Sequence, residues 1–572
     1  MTHKPQHYAR LITQSMSLYL KNYRKGAFEV LDVEKYRSAH VGNSSGDKHD
    51  GSSLLRSCHA LLNLFEGLLA GSSDVMSQCI DEFWDSERLA NNSADKEWIG
   101  NRLSRGMSYL LGGMLQVFTH AYVKAGVNLT IAFKLLRDLE KDIVEYSGAE
   151  SSLIRSLGFL VLGLLNLLSV ILPPSVSSIG EYLGLGVSKE KYYYYTDNCV
   201  GEFSVVSNMI YIYFVINSKN FLFEKATETE LQKCRVLIDA CLASGPHSVV
   251  VHVMHASVCL GEGSPVRAIA TLSEILPVVD STPEWATMGL AAYFKLGNCH
   301  LSNLDFASAQ SAFHNAAMCV SRANRWAYLP FMHTMEGLCF LASRGPTEDL
   351  GTIRKKGLEI FAPTFIDRDT SRVILPGDRW GARVGYEQTV RLVNFSDADL
   401  RTFICESKTP LVETLYAMLT VLYTFEKIDK SKLSVLISCI KQTPSSTLMT
   451  KTVLGEYYRL VGKYGKSVSH FDDAIEAIDA KIRAGETCDP DSILGFSLAY
   501  QGAALCSCEE WETAKEVLSD LDATLGQTRY IGKSQKISPM LNPGNIVELK
   551  GNELELMLNF RKNGLKRRIN NH

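Results

Sequence analysis

Three cysteines spaced at one interval, Cys259, Cys299 and Cys339, mark the feature that most constrains this chain: a period of 40 residues. A period of that size belongs to stacked supersecondary units, each burying its apolar face against the next. Two residues before each cysteine stand Ser257, Gly297 and Gly337, and one residue after stand Leu260, His300 and Phe340. A small residue lets a second helix approach, and a bulky one three positions on fills the gap beyond. Forward from Gly297, the pattern predicts a first helix carrying Tyr293, Leu296 and His300 and a second carrying Ala309, Phe313 and Ala316. Spacings of three and four place these residues on one face of each helix. Asn303 and Asp305 supply the turn between them.

The offsets of 12, 16 and 19 from Gly297 match the tetratricopeptide pattern. Two further copies read Leu454, Gly455, Tyr458, Phe471, Ala474 and Gly502, Leu505, Ala514, Leu518. A degenerate one reads Gly67, Phe83, Ser86. The fold class expected is all-α, a tetratricopeptide-type helical-hairpin solenoid with an interrupted middle. Gly345-Pro346, Pro363, Pro376-Gly377 and Gly381 break helices there and predict a long loop near 364–385. Residues 38–53, SAHVGNSSGDKHDGSS, read as a loop or linker. The expected organisation is an N-terminal helical region 1–200 with degenerate repeats, central repeats 201–345, a loop-rich insertion 346–400, C-terminal repeats 401–560 and a basic tail 561–572.

At 572 residues the chain exceeds the size at which a single core stops growing, which also favours an array. A formal net charge of −3 gives no footprint for nucleic acid. A small basic cluster at the C-terminus, Arg561, Lys562, Lys566, Arg567 and Arg568, reads as a solvated tail, the alternative being a contact with anionic lipid or an acidic partner. The 14 cysteines form no CxxC pair, and Cys506 and Cys508 sit in an apolar run, so reduced thiols in a cytoplasmic setting are expected. The basic, acid-free start (Lys4, Arg10, Lys21, Arg24, Lys25) faintly resembles a transit peptide. A first repeat helix with Leu11, Met16, Leu18, Tyr19 and Tyr23 on its apolar stripe explains it better.

The order of ALLNLFEGLLAG (60–71), FWDSERLAN (83–91), YVKAGVNLTIAFKLL (122–136) and LGFLVLGLLNLLSVILPPSV (157–176) resembles the tetratricopeptide-repeat protein 39 family. Its fungal relatives are described as inclusion body clearance or outer-membrane-associated proteins. The apolar tract ending in Pro173-Pro174, followed by Gly180 to Gly186, carries most of the likeness. Where the family continues with a Gly-Asp-Arg turn, this chain has Val187-Ser188-Lys189-Glu190. The resemblance implies a non-enzymatic adaptor linked to inclusion body clearance and lipid homeostasis, with no catalytic residues to carry over.

The apolar segment 157–172 would cover about 24 Å as a helix, short of the ~30 Å hydrocarbon core. Pro173-Pro174 stops its continuation. It reads as a buried core helix; the alternative is a contact with membrane or lipid droplet through Leu164 and Leu168, and with it a place on the mitochondrial outer membrane or a droplet surface. Gly465-Lys466-Ser467 lacks the first glycine and the strand of a phosphate loop, and reads as an inter-helix turn. His252 and His255 lie one helical turn apart without a third ligand, so no metal is expected, nor any other cofactor. The tyrosines 192–195 span more than one helical face, so only some are buried. First helices of such repeats line a groove, here through Ala291, Phe294, Asn298 and Leu301, and in the penultimate repeat through Met449, Thr452, Glu456 and Arg459. A clamp for chaperone tails needs Lys where Phe294 stands, so a mixed apolar–polar groove for a protein partner of unknown identity is expected.

Overall fold

The structure is a computed structural model that describes residues 7–34, 51–70, 73–118, 121–171, 189–218, 226–322, 329–345, 347–364, 373–375, 380–406, 434, 437, 448–483, 490–527, 546–548 and 553–570. The expectations for 38–50, for Pro173-Pro174 with Gly180–Gly186, and for most of 364–385 lie outside the described residues. The chain divides into two compact units. One is Met1–Ser218, Ala226–Val258 and Thr271–Ala291, and the other is Lys219–Lys225, Cys259–Ala270 and Ala292–His572.

The helices begin with α1 (His7–Leu20), α2 (Arg24–Val30), α3 (Ser52–Ala70), α4 (Ser73–Asn92), α5 (Ile99–Phe118), α6 (Tyr122–Glu145) and α7 (Ser151–Ile171). Next come α8 (Lys189–Asp197), α9 (Glu202–Tyr213), α10 (Glu228–Ser244), α11 (Val249–Gly261) and α12 (Pro265–Ser281). The pair α13 (Ala286–Ser302) and α14 (Phe306–Arg322) precedes α15 (Leu329–Ala342), α16 (Leu350–Phe361), α17 (Trp380–Asn394) and α18 (Asp397–Arg401). The series closes with α19 (Leu448–Leu460), α20 (Tyr464–Arg483), α21 (Pro490–Ser507), α22 (Trp511–Gln527) and α23 (Glu553–Asn570). Helices α1 and α2, α3 and α4, α5 and α6, α19 and α20, and α21 and α22 pair as neighbours, and the architecture is all-α, built of helical hairpins with an interrupted middle. The interruption falls between α16 and α17, where β1 (Val373–Leu375) pairs in parallel with β2 (Ile546–Glu548), a contact no sequence periodicity announces.

Five hairpins turn in the same way. The turns α1–α2, α11–α12, α13–α14, α19–α20 and α21–α22 place Asn22, Gly263, Leu304, Gly462 and Glu509 at φ of 67°, 72°, 59°, 75° and 64°. The next N–H then donates to the carbonyl five residues back, over 2.8 to 3.0 Å, as in Tyr23 to Leu18, Asp305 to His300 and Lys463 to Tyr458. This satisfies carbonyls that a helix end leaves open. Only two of the five left-handed positions are glycine, so packing of the paired helices holds the turn where residue preference alone would not.

The residue seven before each left-handed position is small: Ser15, Ala256, Gly297, Gly455 and Gly502. A Cβ on Gly297 would meet the Phe313 ring at 2.7 Å, and one on Gly455 the Phe471 ring at 2.8 Å, as the offsets predict. Elsewhere the register differs. In α11 the turn selects Ala256 instead of Ser257, so the first interval is 41 residues (256 to 297). Gly337 meets Phe361, 24 residues on (337 to 361), because the α15–α16 connection is longer. Gly502 meets Leu565 of α23, not Leu518. Gly67 lies against Val75 near the α3–α4 turn, while Phe83 is buried elsewhere and the Ser86 hydroxyl pairs with Ser57 at 2.6 Å.

The expected basic tail is also corrected. Residues 553–570 form α23, packed on α21 and α22. Leu558 and Leu565 fill the space over Gly495 and Gly502. Arg561 is fully buried with its guanidinium 4.2 Å from the Tyr500 ring centre, and Lys562 pairs with Asp522 at 2.9 Å. The apolar spacing of Leu558, Leu565 and Ile569 outweighs the charges because it covers two glycine-lined gaps.

In the first unit α7 is an interior helix. Residues Leu157, Leu160, Val161, Leu162, Leu164, Leu165 and Leu167 are buried, and the Asn166 amide donates to the Leu162 carbonyl at 2.8 Å. Phe159 packs on Tyr195 of α8 at 5.7 Å. Among the described residues no helix is long and apolar enough to cross a membrane.

Candidate functional site: the α13–α15 face

Helix α13 follows a 3-10 turn at Pro283–Trp285 and ends in the Leu304 turn, where the Asp305 carboxylate accepts from the Ser308 N–H and caps α14. These ends fix which residues of α13 look outward. Phe294 is half-buried, its ring 6.2 Å from Phe313 of α14 and 6.1 Å from Phe331 of α15. Asn298, one turn on, is 5% exposed, and its Oδ1 has no hydrogen-bond partner among the described residues. Beside it Lys295 is half-buried, and burial pushes its amine down to about 8. Neither an ion pair nor a hydrogen bond is present for Lys295 among the described residues.

Below this face a buried carboxylate is held by two imidazoles. Glu336 of α15 lies 3.0 Å from His314 Nδ1 and 3.1 Å from His333 Nδ1, so both of its oxygens are engaged. Cys339, one turn further, has its thiol pushed well above its ordinary value by burial, with Glu336 adding to the effect. It is therefore held protonated, a small apolar filler and not a nucleophile. The Cys58, Cys199 and Cys241 thiols are likewise pushed up to about 12 by burial. Among the cysteines whose side chains are described, all are unlinked.

The other expected site residues are placed differently. Leu301 is fully buried and lines no open face. Glu456 and Arg459 are buried too, and they close on each other through two 2.7 Å contacts, with the guanidinium 5.6 Å from the Tyr500 ring. Their charges satisfy one another, so they stand in the interior of the repeat and not in a groove. Thr452 is buried against the Ser497 hydroxyl at 3.1 Å. Leu164 is buried inside α7's packing, which removes it from the surface, and the Leu168 side chain lies outside the described residues.

The remaining motifs resolve locally. Gly462 makes the inter-helix turn, and the buried Ser467 hydroxyl donates to the Gly455 carbonyl at 2.7 Å. His252 engages the Ser248 carbonyl and Glu274, while His255 reaches Thr271. Among the described residues no group of three or more His, Cys, Asp or Glu could hold a metal. Tyr192 and Tyr195 are buried while Tyr194 is 53% exposed, as the single-face argument requires.

Sequence reasoning missed Lys295, His314, His333 and Glu336. The only signal for Lys295 is its position three before Asn298, which one repeat copy is too little to single out. The pairing of His314 with Glu336 joins two helices and leaves no spacing rule. No family model matches the chain, and no curated protein matches it.

Proposed function

We propose that this chain is a tetratricopeptide-type, non-enzymatic adaptor that holds an extended segment of a partner protein along α13. The observation that carries the reading is the half-buried ring of Phe294, 6.1 Å from the half-buried Phe331, on a helix where the buried Asn298 carbonyl oxygen has no hydrogen-bond partner among the described residues. A buried acceptor left unpaired costs stability, and a local shift that uncovers the oxygen would let a partner's backbone N–H recover it. The aromatic surface of Phe294 and Phe331 offers an anchor for an apolar side chain next to that bond. Adaptor activity is also what the likeness to the tetratricopeptide-repeat protein 39 family implies. The burial of Leu157 to Leu167 favours this reading over lipid contact through α7, and the free, protonated thiols accord with a reducing cytoplasmic setting.

The test is a peptide-array screen with purified protein, followed by affinity measurements on the hits. Phe294→Ala and Asn298→Ala are each expected to weaken a genuine hit by about tenfold while leaving the thermal midpoint within a few degrees. Undiminished binding by both folded variants would remove α13 from the binding surface.

A further inference from the structure

Helix α10 places Lys233 in a small cage built by α8 and α9. Its Nζ lies 4.9 Å from the centre of the Tyr193 ring and 5.0 Å from that of Tyr211, and it donates to both Asp197 carboxylate oxygens at 3.1 and 3.4 Å. The walls are fixed: Tyr211 is 1% exposed and stacks on the equally buried Tyr192, with ring centres 6.1 Å apart and planes within 14°. The mouth is open, since the Asp197 side chain is 55% exposed and that of Lys233 31%. Asp197 has no second cation among the described residues.

Two tyrosine faces and one carboxylate are the composition by which proteins select alkylammonium ions. The ring quadrupole attracts a cation without needing an N–H, whereas the carboxylate supplies charge at the rim. We propose that Tyr193, Tyr211 and Asp197 form a receptor for a quaternary ammonium group, with Lys233 as its built-in, displaceable occupant. A primary ammonium draws part of its hold from hydrogen bonds to Asp197, and it is strongly hydrated, so it gains less from the rings than a trialkylated nitrogen does. Lys233 competes because its own tether keeps it at high effective concentration. The receptor belongs to the first unit and stands independently of the α13 face. The ligand chemistry is a trimethylammonium group, which a methylated lysine side chain or a choline headgroup presents equally.

The experiment titrates wild type and Lys233→Ala with three probes: a fluorescent trimethyllysine peptide, phosphocholine vesicles and tetramethylammonium chloride. Lys233→Ala is expected to bind at least one probe roughly tenfold more tightly than wild type, as loss of an intramolecular competitor requires. In that background Tyr193→Phe keeps the binding and Tyr193→Ala abolishes it. The probe that binds identifies the source, peptide or headgroup. A Lys233→Ala variant with wild-type circular dichroism that binds none of the three overturns the proposal. So does binding that survives Tyr193→Ala, or an unmethylated lysine peptide that binds as well as the methylated one.

Discussion

At Gly297 the absence of a side chain is a packing requirement, whereas at Gly465 it is not. A methyl group on Gly297 would sit 2.7 Å from the Phe313 ring, and one on Gly465 would meet nothing within 4 Å. Gly297→Ala is expected to cost about 1–3 kcal/mol in urea unfolding, because Phe313 is fully buried and has little room to yield. Gly465→Ala, in the first turn of α20, is expected to stabilise by about 0.4–1 kcal/mol through the unfolded chain. The Glu456–Arg459 pair makes a second case, being buried on both sides. Glu456→Gln alone is expected to cost about 3–5 kcal/mol by stranding Arg459, while replacing both by apolar residues of like volume restores most of it. A double-mutant cycle checks both. Lys295 gives a pH signature. Burial lowers its pKa to about 8, so the folded state disfavours the charged amine. Its contribution is full above its unfolded pKa of about 10.4 and is lost as pH falls towards about 8. Lys295→Met is therefore expected to flatten the stability-against-pH curve between those values and to raise stability at pH 7 relative to wild type.

At the scale of elements, the N-terminal hairpin is tied into the first unit by residues far along the chain. Asn22, in the left-handed turn, accepts from the Val249 N–H at the start of α11 and donates to the His247 carbonyl. Its own carbonyl accepts from the Trp285 indole at 3.3 Å, and the Lys25 N–H donates to Glu284 at 3.0 Å. A side chain 227 residues away thus caps α11. Asn22→Ala combines a positive φ that alanine tolerates poorly with loss of the cap, and is expected to cost about 2 kcal/mol in thermal unfolding. Deletion of residues 1–31 is expected to expose Trp285, which is fully buried, and to red-shift its fluorescence. An unshifted spectrum would show that the hairpin is dispensable, as a transit segment would be. The acid-free composition that suggests such a segment is compatible with both readings; the apolar stripe Tyr8, Ile12, Met16 and Tyr19 is what the fold uses.

For the molecule as a whole, much of the architecture was legible because helices joined by short turns pair with each other. Gly297 with Phe313 and Gly455 with Phe471 stand at fixed offsets because a helix pair joined by a short turn has one register, and local spacing reports it. Where the connection lengthens, as between Gly337 and Phe361, or where a later helix supplies the partner, as Leu565 does for Gly502, the same glycine is visible but its neighbour is not. Of the expected groove residues Phe294 is half-buried, whereas Asn298, Leu301, Glu456 and Arg459 are buried. Position on a helix predicts a face, but only packing decides whether that face is covered. The sequence by itself determined the helices, the hairpin unit and the small-against-large pairing that sets its register. The tertiary structure decided which polar residues are left without partners, which charges close on each other, and that a basic C-terminal segment is a covering helix. Which groups are buried, and so which charges and polar atoms must find a partner, depends on packing between residues tens to hundreds of positions apart, even where the paired charges, as Glu456 and Arg459, stand three apart; no periodicity of 3.6 or 40 carries that information.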